Sequence, residues 1–596
     1  MMKPANLSHL PTNISAKDRA KQFPSVLHDS GGKLFCTPCN CVLDHRRKST
    51  LDSHFATDKH SRMVKAAAES AKMKQLTYTE ASTSKTVARA ERIKICETWV
   101  ATCTAINIPL SKTDHPALRK FLNEKVINGG AIPGFHQLQD MYLGAVYEKE
   151  KEELKTLLAR KPLAVIFDET PDVEGRCVLN ILLAPLEKDH SGRILAYLAD
   201  TVFLEQCNHS TVSMSVVRCL QEYSINNEDV IVFDTDNAAY MKKAFTAALQ
   251  SLFPNSIHIT CMAHIMNLIG NAFRKPFVQL NSFMLSFSQM FFNAGSRKRR
   301  YLCFLSNKLP RKKAVMHPNP CATRWNSWFS AVQYHAQHFG LYKEFIEMEI
   351  EVCSRSAPQS VERLHEMLQD QDLAQSLNVQ INIMADKCKR FLSLLDIFQS
   401  RRPVTTKIFT YLEDLQVVFA ANKELQYEAC AEYFEGFNLP YTTKTQILCT
   451  VGQAYENAEE KLTKYMSHGQ PAIEFLQEVR VFDPRHIAFL DDSVASYKAI
   501  PGFTEVQGDE FDSYFKTLGP ASLRAAPFGV VDLDVFWDGL QERLPVLSSL
   551  AKRHQSVAFR SRRLTFICVN KREQARAGHA SLASRLACSE RSGRER

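Results

Sequence analysis

Apolar positions along the chain change their period several times. Ile93, Cys96, Val100, Cys103 and Ile106 recur at steps of three and four, the spacing of an amphipathic helix. Pro116 suits the first turn of another helix, and Asn128-Gly129-Gly130 suits its end. From residue 163 the apolar runs shorten and become continuous. LAVIFDET (163–170), RCVLNILLAP (176–185) and RILAYLADTVFL (193–204) predict three strands, the last two joined by an Asp189-His190-Ser191-Gly192 turn. A helix is expected at about 210–224. VIVFDTDNA (230–238) predicts a further strand; Ala239, Phe245, Ala248, Leu249 and Leu252 mark a helix, and SIHITCMAH (256–264) runs from strand into helix.

Ahead of these elements, residues 34–60 read LFCTPCNCVLDHRRKSTLDSHFATDKH. Cys36-x2-Cys39, fourteen residues, then His54-x5-His60 is a ligand spacing for one tetrahedral zinc ion, with the thiolates on one side and the imidazoles on the other. Phe35 and Leu51 are placed to form the apolar cluster under the metal, and Cys41 and His45 are spare ligand candidates. So small a module needs a metal or disulfide to fold, which makes the zinc structural. Arg46, Arg47 and Lys48 precede the expected helix and Lys59, Arg62 and Lys65 follow it, charge suited to phosphate contacts, although a finger can also bind protein. The Ala/Lys/Met-rich residues 61–75 should extend that helix, and the Thr/Ser-rich stretch 76–89 reads as a linker.

Composition narrows the class. The 596 residues are 45% hydrophobic and 23% charged, ordinary for several globular domains. The net charge of +10 is concentrated at the ends: residues 1–75 hold 13 Lys or Arg against 6 Asp or Glu, and residues 552–596 hold 12 against 3. Basic ends on a mildly acidic body fit polyanion contacts, or solvated termini. Seventeen cysteines without a dense framework, and a polar start, favour a reducing compartment. The most apolar stretch, Leu280–Phe292, is short and interrupted by Asn281, Ser282, Ser286, Ser288 and Gln289, so no membrane role is expected.

The run GGKLFCTPCNCVLDHRRKSTLDSHFATDKH resembles the finger of the CGG triplet repeat-binding protein family, and the likeness continues through INIPLSKTDHPALRKFLNEKVINGGAIP (106–133), covering about residues 28–145. It implies a nuclear protein that binds double-stranded DNA.

Three strands in a meander, then helix, strand, helix and strand, is the order of an RNase H-like fold. In its nucleases, carboxylates on adjacent central strands hold two divalent metals that activate the attacking oxygen and stabilise the leaving one. Asp168 ends the first strand, and Asp234 and Asp236 end the fourth, where such residues also form turns. Residues 90–557 resemble hAT-superfamily transposases: FDET carries Asp168, TDNAAYM (235–241) makes Asp236 the second acid, CMAH with Asn267 matches a Cys-x-x-His element, and CATRWNSW (321–328) matches a Cys-x-x-Arg-Trp motif. The resemblance implies that Arg324 and Trp325 meet DNA, the Trp stacking near a flipped base. It also implies that 276–500 is an all-helical insertion. Within it, Arg297, Lys298, Arg299 and Arg300, with Arg311-Lys312-Lys313, form a two-part basic cluster that suits DNA backbone contact, nuclear import or a solvated helix face.

The likeness fails at the end. VFWDGLQERLPVLSSLAKRHQSV (535–557) follows the family's dimerisation segment through Trp537, Pro545, Leu547 and Leu550, but the following helix that carries the third catalytic acid is missing: Glu510 matches a different family position upstream, Glu573 lacks the motif, and Glu590 lies too far downstream in the wrong surroundings. The expected organisation is therefore α+β and multidomain: a zinc finger (28–66), a helix extension and linker (67–89), a helical module (90–160), the first part of an RNase H-like domain (161–275), a helical insertion (276–500), an incomplete dimerisation segment (501–557) and an unstructured basic tail (558–596). The expected function is zinc-dependent DNA binding in the nucleus, as a homodimer and regulator of transcription, without transposase activity. The alternatives are an active cut-and-paste transposase, using magnesium or manganese on Asp168 and Asp236, and a protein-interaction scaffold.

Overall fold

The computed structural model describes residues 13–69, 78–126, 132–172, 174–320, 327–353, 357–424, 426–518 and 531–557. It divides into two compact units, residues 1–148 and 149–589.

The first unit begins with helix α1 (Ala16–Gln22), whose N-terminus is capped by Ser15. Strands β1 (Leu27–Ser30), β2 (Lys33–Cys36) and β3 (Cys41–Leu43) form an antiparallel sheet in that order. Helices α2 (Lys48–Phe55) and α3 (Asp58–Glu69) follow. Residues 61–69, expected to prolong the finger's helix, therefore lie in a second one, because the chain breaks at Ala56-Thr57; residues 70–75 lie outside the described residues. Helix α4 (Tyr78–Ala105) replaces most of the expected linker. The stretch 76–89 contains Thr and Ser but neither Gly nor Pro, and Thr and Ser alone only mildly disfavour a helix. Helix α5 (Pro116–Lys125) opens on the proline as expected. Its predicted closure at 128–130 lies outside the described residues. Asp114 ties this module together, accepting from the Arg119 guanidinium at 3.0 Å and the Phe135 N–H at 3.3 Å. Cys96, Val100 and Cys103 are buried along α4, as their spacing requires, whereas Ile93 is exposed and Ile106, just past the helix end, is exposed as well.

In the second unit, β4 (Leu163–Pro171), β5 (Cys177–Pro185), β6 (Tyr197–Leu204), β7 (Val230–Thr235) and β8 (Ile257–Thr260) make one sheet in the order β6-β5-β4-β7-β8. The first three form an antiparallel meander, and β7 and β8 add in parallel with β4. Strand β6 starts four residues later than expected; ahead of it Ile194 makes an isolated antiparallel bridge with Lys188, and its N–H donates to the Arg401 carbonyl at 3.0 Å. Alternation divides β4 between two cores: Val165 and Phe167 join the one under α6 (His209–Glu222) and α7 (Ala239–Ala244), and Ala164 and Ile166 join the larger one. That larger core extends into the helices between Val278 and Lys464. Among the described residues from 278 to 500, every named element is helical.

Helical chain and sheet meet at Gln470. Its side-chain carbonyl accepts from the Thr260 N–H at 2.9 Å and the Thr260 hydroxyl at 3.1 Å, while its amide donates to the Thr260 carbonyl at 2.9 Å. A buried side chain thus does the work of a neighbouring strand at the end of β8.

The RKRR run serves this interior. On helix Gly295–Lys308, Arg297 is buried, and its Nε donates to Glu349 at 2.9 Å; Arg300 donates to the same carboxylate at 2.6 and 2.7 Å. Burial alone would raise the Glu349 pKa, but the two guanidiniums hold it below the usual range. Arg297 and Arg300 are thereby withdrawn from the expected nucleic-acid surface, and only Lys298 and Arg299 of the four are exposed. Glu349→Ala would strand Arg297 in the core. We expect it to cost about 3–5 kcal/mol, read as a lower denaturant midpoint of the full chain.

Residues of the expected dimerisation segment are also inside. Trp537 is fully buried and donates to the Phe482 carbonyl at 2.9 Å, and Leu547 and Leu550 are buried with it. Glu510 accepts from the Leu547 N–H at 2.8 Å and so caps helix Pro545–His554. The tail 558–596, with Glu573 and Glu590, lies outside the described residues. No helix of the described residues is long and apolar enough to cross a membrane.

Candidate metal centre and nucleic-acid interface

The turn between β2 and β3 brings Cys36 and Cys39 together. Asn40, at φ +48°, adopts the left-handed conformation that Asn tolerates, and its N–H closes the turn on the Cys36 carbonyl at 2.8 Å. His54 sits in the last turn of α2 and His60 in the first turn of α3. Six residues along one continuous helix amount to a rotation of about 600°, or 240° net, which would separate the rings. The break between α2 and α3 lets them converge, 4.9 Å apart between ring centres.

One ligand atom from each of Cys36, Cys39, His54 and His60 lies within 4.8 Å of the others. The His60 Nδ1 is 3.4 Å from both sulfurs. This is close to the edge of a tetrahedron built with zinc–sulfur bonds of about 2.3 Å and zinc–nitrogen bonds of about 2.0–2.1 Å. The His54 Nε2 is buried with no hydrogen-bond partner, which a ligand nitrogen aimed at a cation explains. These residues fit zinc. Cys41 and His45 are not members of the cluster. Burial pushes the Cys36 thiol up to about 12, helped by the Cys39 thiol, so holding a dication there displaces a proton. Burial also lowers the His54 pKa, as a neutral imidazole ligand requires.

The apolar support differs from the sequence expectation. Leu34, Cys36, Leu27, Ala16 and Leu51 form the buried cluster. Phe35 is also buried but stacks on His28, with ring centres 5.4 Å apart. Alternation along β2 decides this: Cys36 points to the metal, so Leu34 shares its face and Phe35 takes the other. Arg19 of α1 was not anticipated; its Nε donates to the His45 carbonyl at 3.0 Å and anchors the loop before α2. From that loop Arg46, Arg47 and Lys48 reach solvent at the N-terminal end of α2.

The acids of the larger sheet are arranged differently. Ile166 of β4 pairs with Asp234 of β7. Asp168 lies two residues further along β4 and Asp236 follows the last residue of β7, so the paired register reaches neither of them. Strand β7 stops at Thr235, so alternation does not carry through to Asp236. Instead the Asp236 carboxylate turns to the Ala238 N–H, at 3.0 Å. Glu169, missed in the sequence, accepts from the Tyr240 hydroxyl at 3.4 Å. Burial, with Cys207, Asp236 and Glu169 nearby, pushes the Tyr240 phenol up. Lys242 is held below its usual pKa by burial and by Lys464, and donates to the Gly469 carbonyl at 3.3 Å. Among the described residues, the finger is the only group of three or more His, Cys, Asp or Glu side chains placed to share a metal. Cys261 and His264 fall at the start of helix Met262–Arg274. Arg324 and Trp325 lie outside the described residues.

Comparison with known proteins matches the first unit. Residues 10–66 match the CGGBP1 N-terminal domain and residues 86–145 match the CGGBP1 helical domain. The human CGG triplet repeat-binding protein 1 is 38% identical over 152 residues, which are 91% of its length and 25% of this chain. The mouse protein of the same name matches with the same identity and coverage. The chain belongs to the CGG triplet repeat-binding protein family. Both domain matches end before β4, so the sheet and its helices are an addition to the part the family shares.

Proposed function

We propose that this chain is a zinc-dependent nuclear protein that binds double-stranded DNA and regulates transcription, built from a hAT transposase that no longer transposes. The observation that carries the reading is the four-ligand cluster with Arg46, Arg47 and Lys48 exposed beside it, within the segment that matches a family named for binding CGG triplet repeats. Cations at a helix N-terminus, where the backbone N–H groups already favour anions, suit phosphate contacts that hold the finger on the duplex. Lys298, Arg299, Arg324 and Trp325 are proposed further contacts from the second unit.

The test is selection of duplexes from a random pool at stated salt, followed by a salt titration. Replacing Arg46, Arg47 and Lys48 by Ala is expected to weaken binding across all sequences and to reduce the salt slope by about one for each phosphate that a removed cation had neutralised. An unchanged slope contradicts the assignment. Absence of any salt-dependent affinity favours the protein-interaction scaffold. A homodimer is part of the proposal, and light scattering of the full chain tests it.

The proposal keeps 28–66 as the finger and assigns the transposase ancestry to the domains 90–160, 161–275, 276–500 and 501–557. The meander followed by two parallel strands supports an RNase H-like sheet. Asp168 on β4 and Asp236 directly after β7, the parallel neighbour of β4, support a second reading, an active transposase, in which these two carboxylates would hold magnesium or manganese. That reading requires metal-dependent nicking of transposon ends that Asp236→Ala abolishes; nicking by the variant at the normal rate would end it.

A further inference from the structure

The finger reaches its geometry through one side chain between its two histidines. The Thr57 hydroxyl donates to the carbonyl of His54 at 2.8 Å and accepts from the N–H of His60 at 3.2 Å. Its own N–H approaches the His54 carbonyl at 3.1 Å, and its carbonyl accepts from Ser61 at 3.1 Å. One residue thus ends α2 and starts α3, and both bonds of its hydroxyl fall on the backbone of metal-binding residues.

We propose that Thr57 is a positioning residue for the metal site, fixing the angle between α2 and α3 so that a His-x5-His pair can converge on one ion. The proposal rests on the zinc reading of the finger. The spacing makes such a device necessary: a continuous helix would carry His60 about 240° around the axis from His54. An unfixed break would leave the two rings in many relative orientations, and ordering them would then oppose metal binding. Thr is suited to the task because its β-branch restricts χ1, which favours the rotamer that holds the hydroxyl between its donor and acceptor in the folded finger. Thr57 is exposed and stands outside the small apolar cluster, so its replacement removes two hydrogen bonds and opens no cavity. Outer groups that orient metal ligands commonly affect affinity on the order of 10- to 100-fold.

The experiment titrates cobalt into the full chain, with Cys36→Ser as the blank for the other thiols, and then measures zinc affinity by chelator competition. Thr57→Val is expected to lower zinc affinity on the order of 10- to 100-fold and to alter the cobalt ligand-field bands. Thr57→Ser, which keeps both hydrogen bonds, restores most of the affinity and the spectrum. Thr57→Asp separates positioning from simple helix capping. Its carboxylate can still accept from the His60 N–H and is as good an N-cap as Thr, but it cannot donate to the His54 carbonyl. We expect it to bind metal more weakly than Thr57→Ser despite the added negative charge. Wild-type affinity and spectrum in Thr57→Val, or full restoration by Thr57→Asp, overturns the proposal. A wild-type chain with no cobalt–thiolate band above the Cys36→Ser blank overturns the zinc reading instead.

Discussion

Removing zinc, or one of its ligands through His54→Ala, is expected to unfold residues 27–69 and abolish binding to duplex DNA. The fully buried part of the cluster under the ligands is Ala16, Leu27, Leu34, Cys36 and Leu51, one of them itself a ligand, and the residues packed around it, such as Phe23, Val26, Leu43 and Phe55, are only partly buried. Apolar burial of that extent cannot offset the ordering of three strands and two helices. The metal must supply the difference; structural zinc in isolated fingers contributes about 10–16 kcal/mol at neutral pH. The protein around the second sheet has its own extensive core and should survive. Hydrogen exchange with and without chelator reads the two regions separately. Continued protection of β2 and α2 after complete zinc removal would disprove the metal's structural role, and unchanged duplex affinity would remove the finger as the reader of DNA.

Mild acid is expected to destabilise the second unit by several kcal/mol. Burial holds His258, His317 and His554 at about 4, and His335 well below its usual value. Each ring is built into the interior. His258 lies 2.9 Å from the Thr235 hydroxyl, His335 lies 2.8 Å from the Tyr342 hydroxyl, and the His554 Nε2 donates to the Pro501 carbonyl at 3.1 Å. These rings stay neutral in the folded chain, whereas in the unfolded chain they take up protons below about 6.5. The unfolded state therefore binds more protons, and stability is lost as pH falls from about 6.5 towards 4, at up to about 1.4 kcal/mol per pH unit for each ring. Urea unfolding at pH 7 and pH 5 measures the loss. His554→Gln, which can keep a donor towards Pro501, should reduce the slope by nearly one proton. An equal midpoint at the two pH values would show that the rings are not held neutral.

The finger was the most legible feature because its information is local. Four ligands of two types at set spacings within 25 residues point to the metal site before any fold is known. The sheet was legible for a similar reason: each strand is a short apolar run, and all five strands formed where runs stood. The Thr/Ser-rich stretch before residue 90 misled because polar composition resembles a linker, whereas the absence of Gly and Pro was the better guide to helix α4. Basic residues misled more deeply. RKRR reads as four surface charges, yet Glu349, some fifty residues away, draws two of them inward.

By itself, the sequence determined where the five strands of the larger sheet form and narrowed the zinc ligands to Cys36, Cys39, His54 and His60 with Cys41 and His45 in reserve, since both rest on residue types at short spacings. Only the tertiary structure decided that Leu34 rather than Phe35 lies under the metal, and that Trp537 and Arg297 belong to the interior. It also decided that Thr57 joins the two ligand-bearing helices and that Gln470 completes β8. These outcomes depend on which face of an element meets another, and that is set by packing between residues tens to hundreds of positions apart.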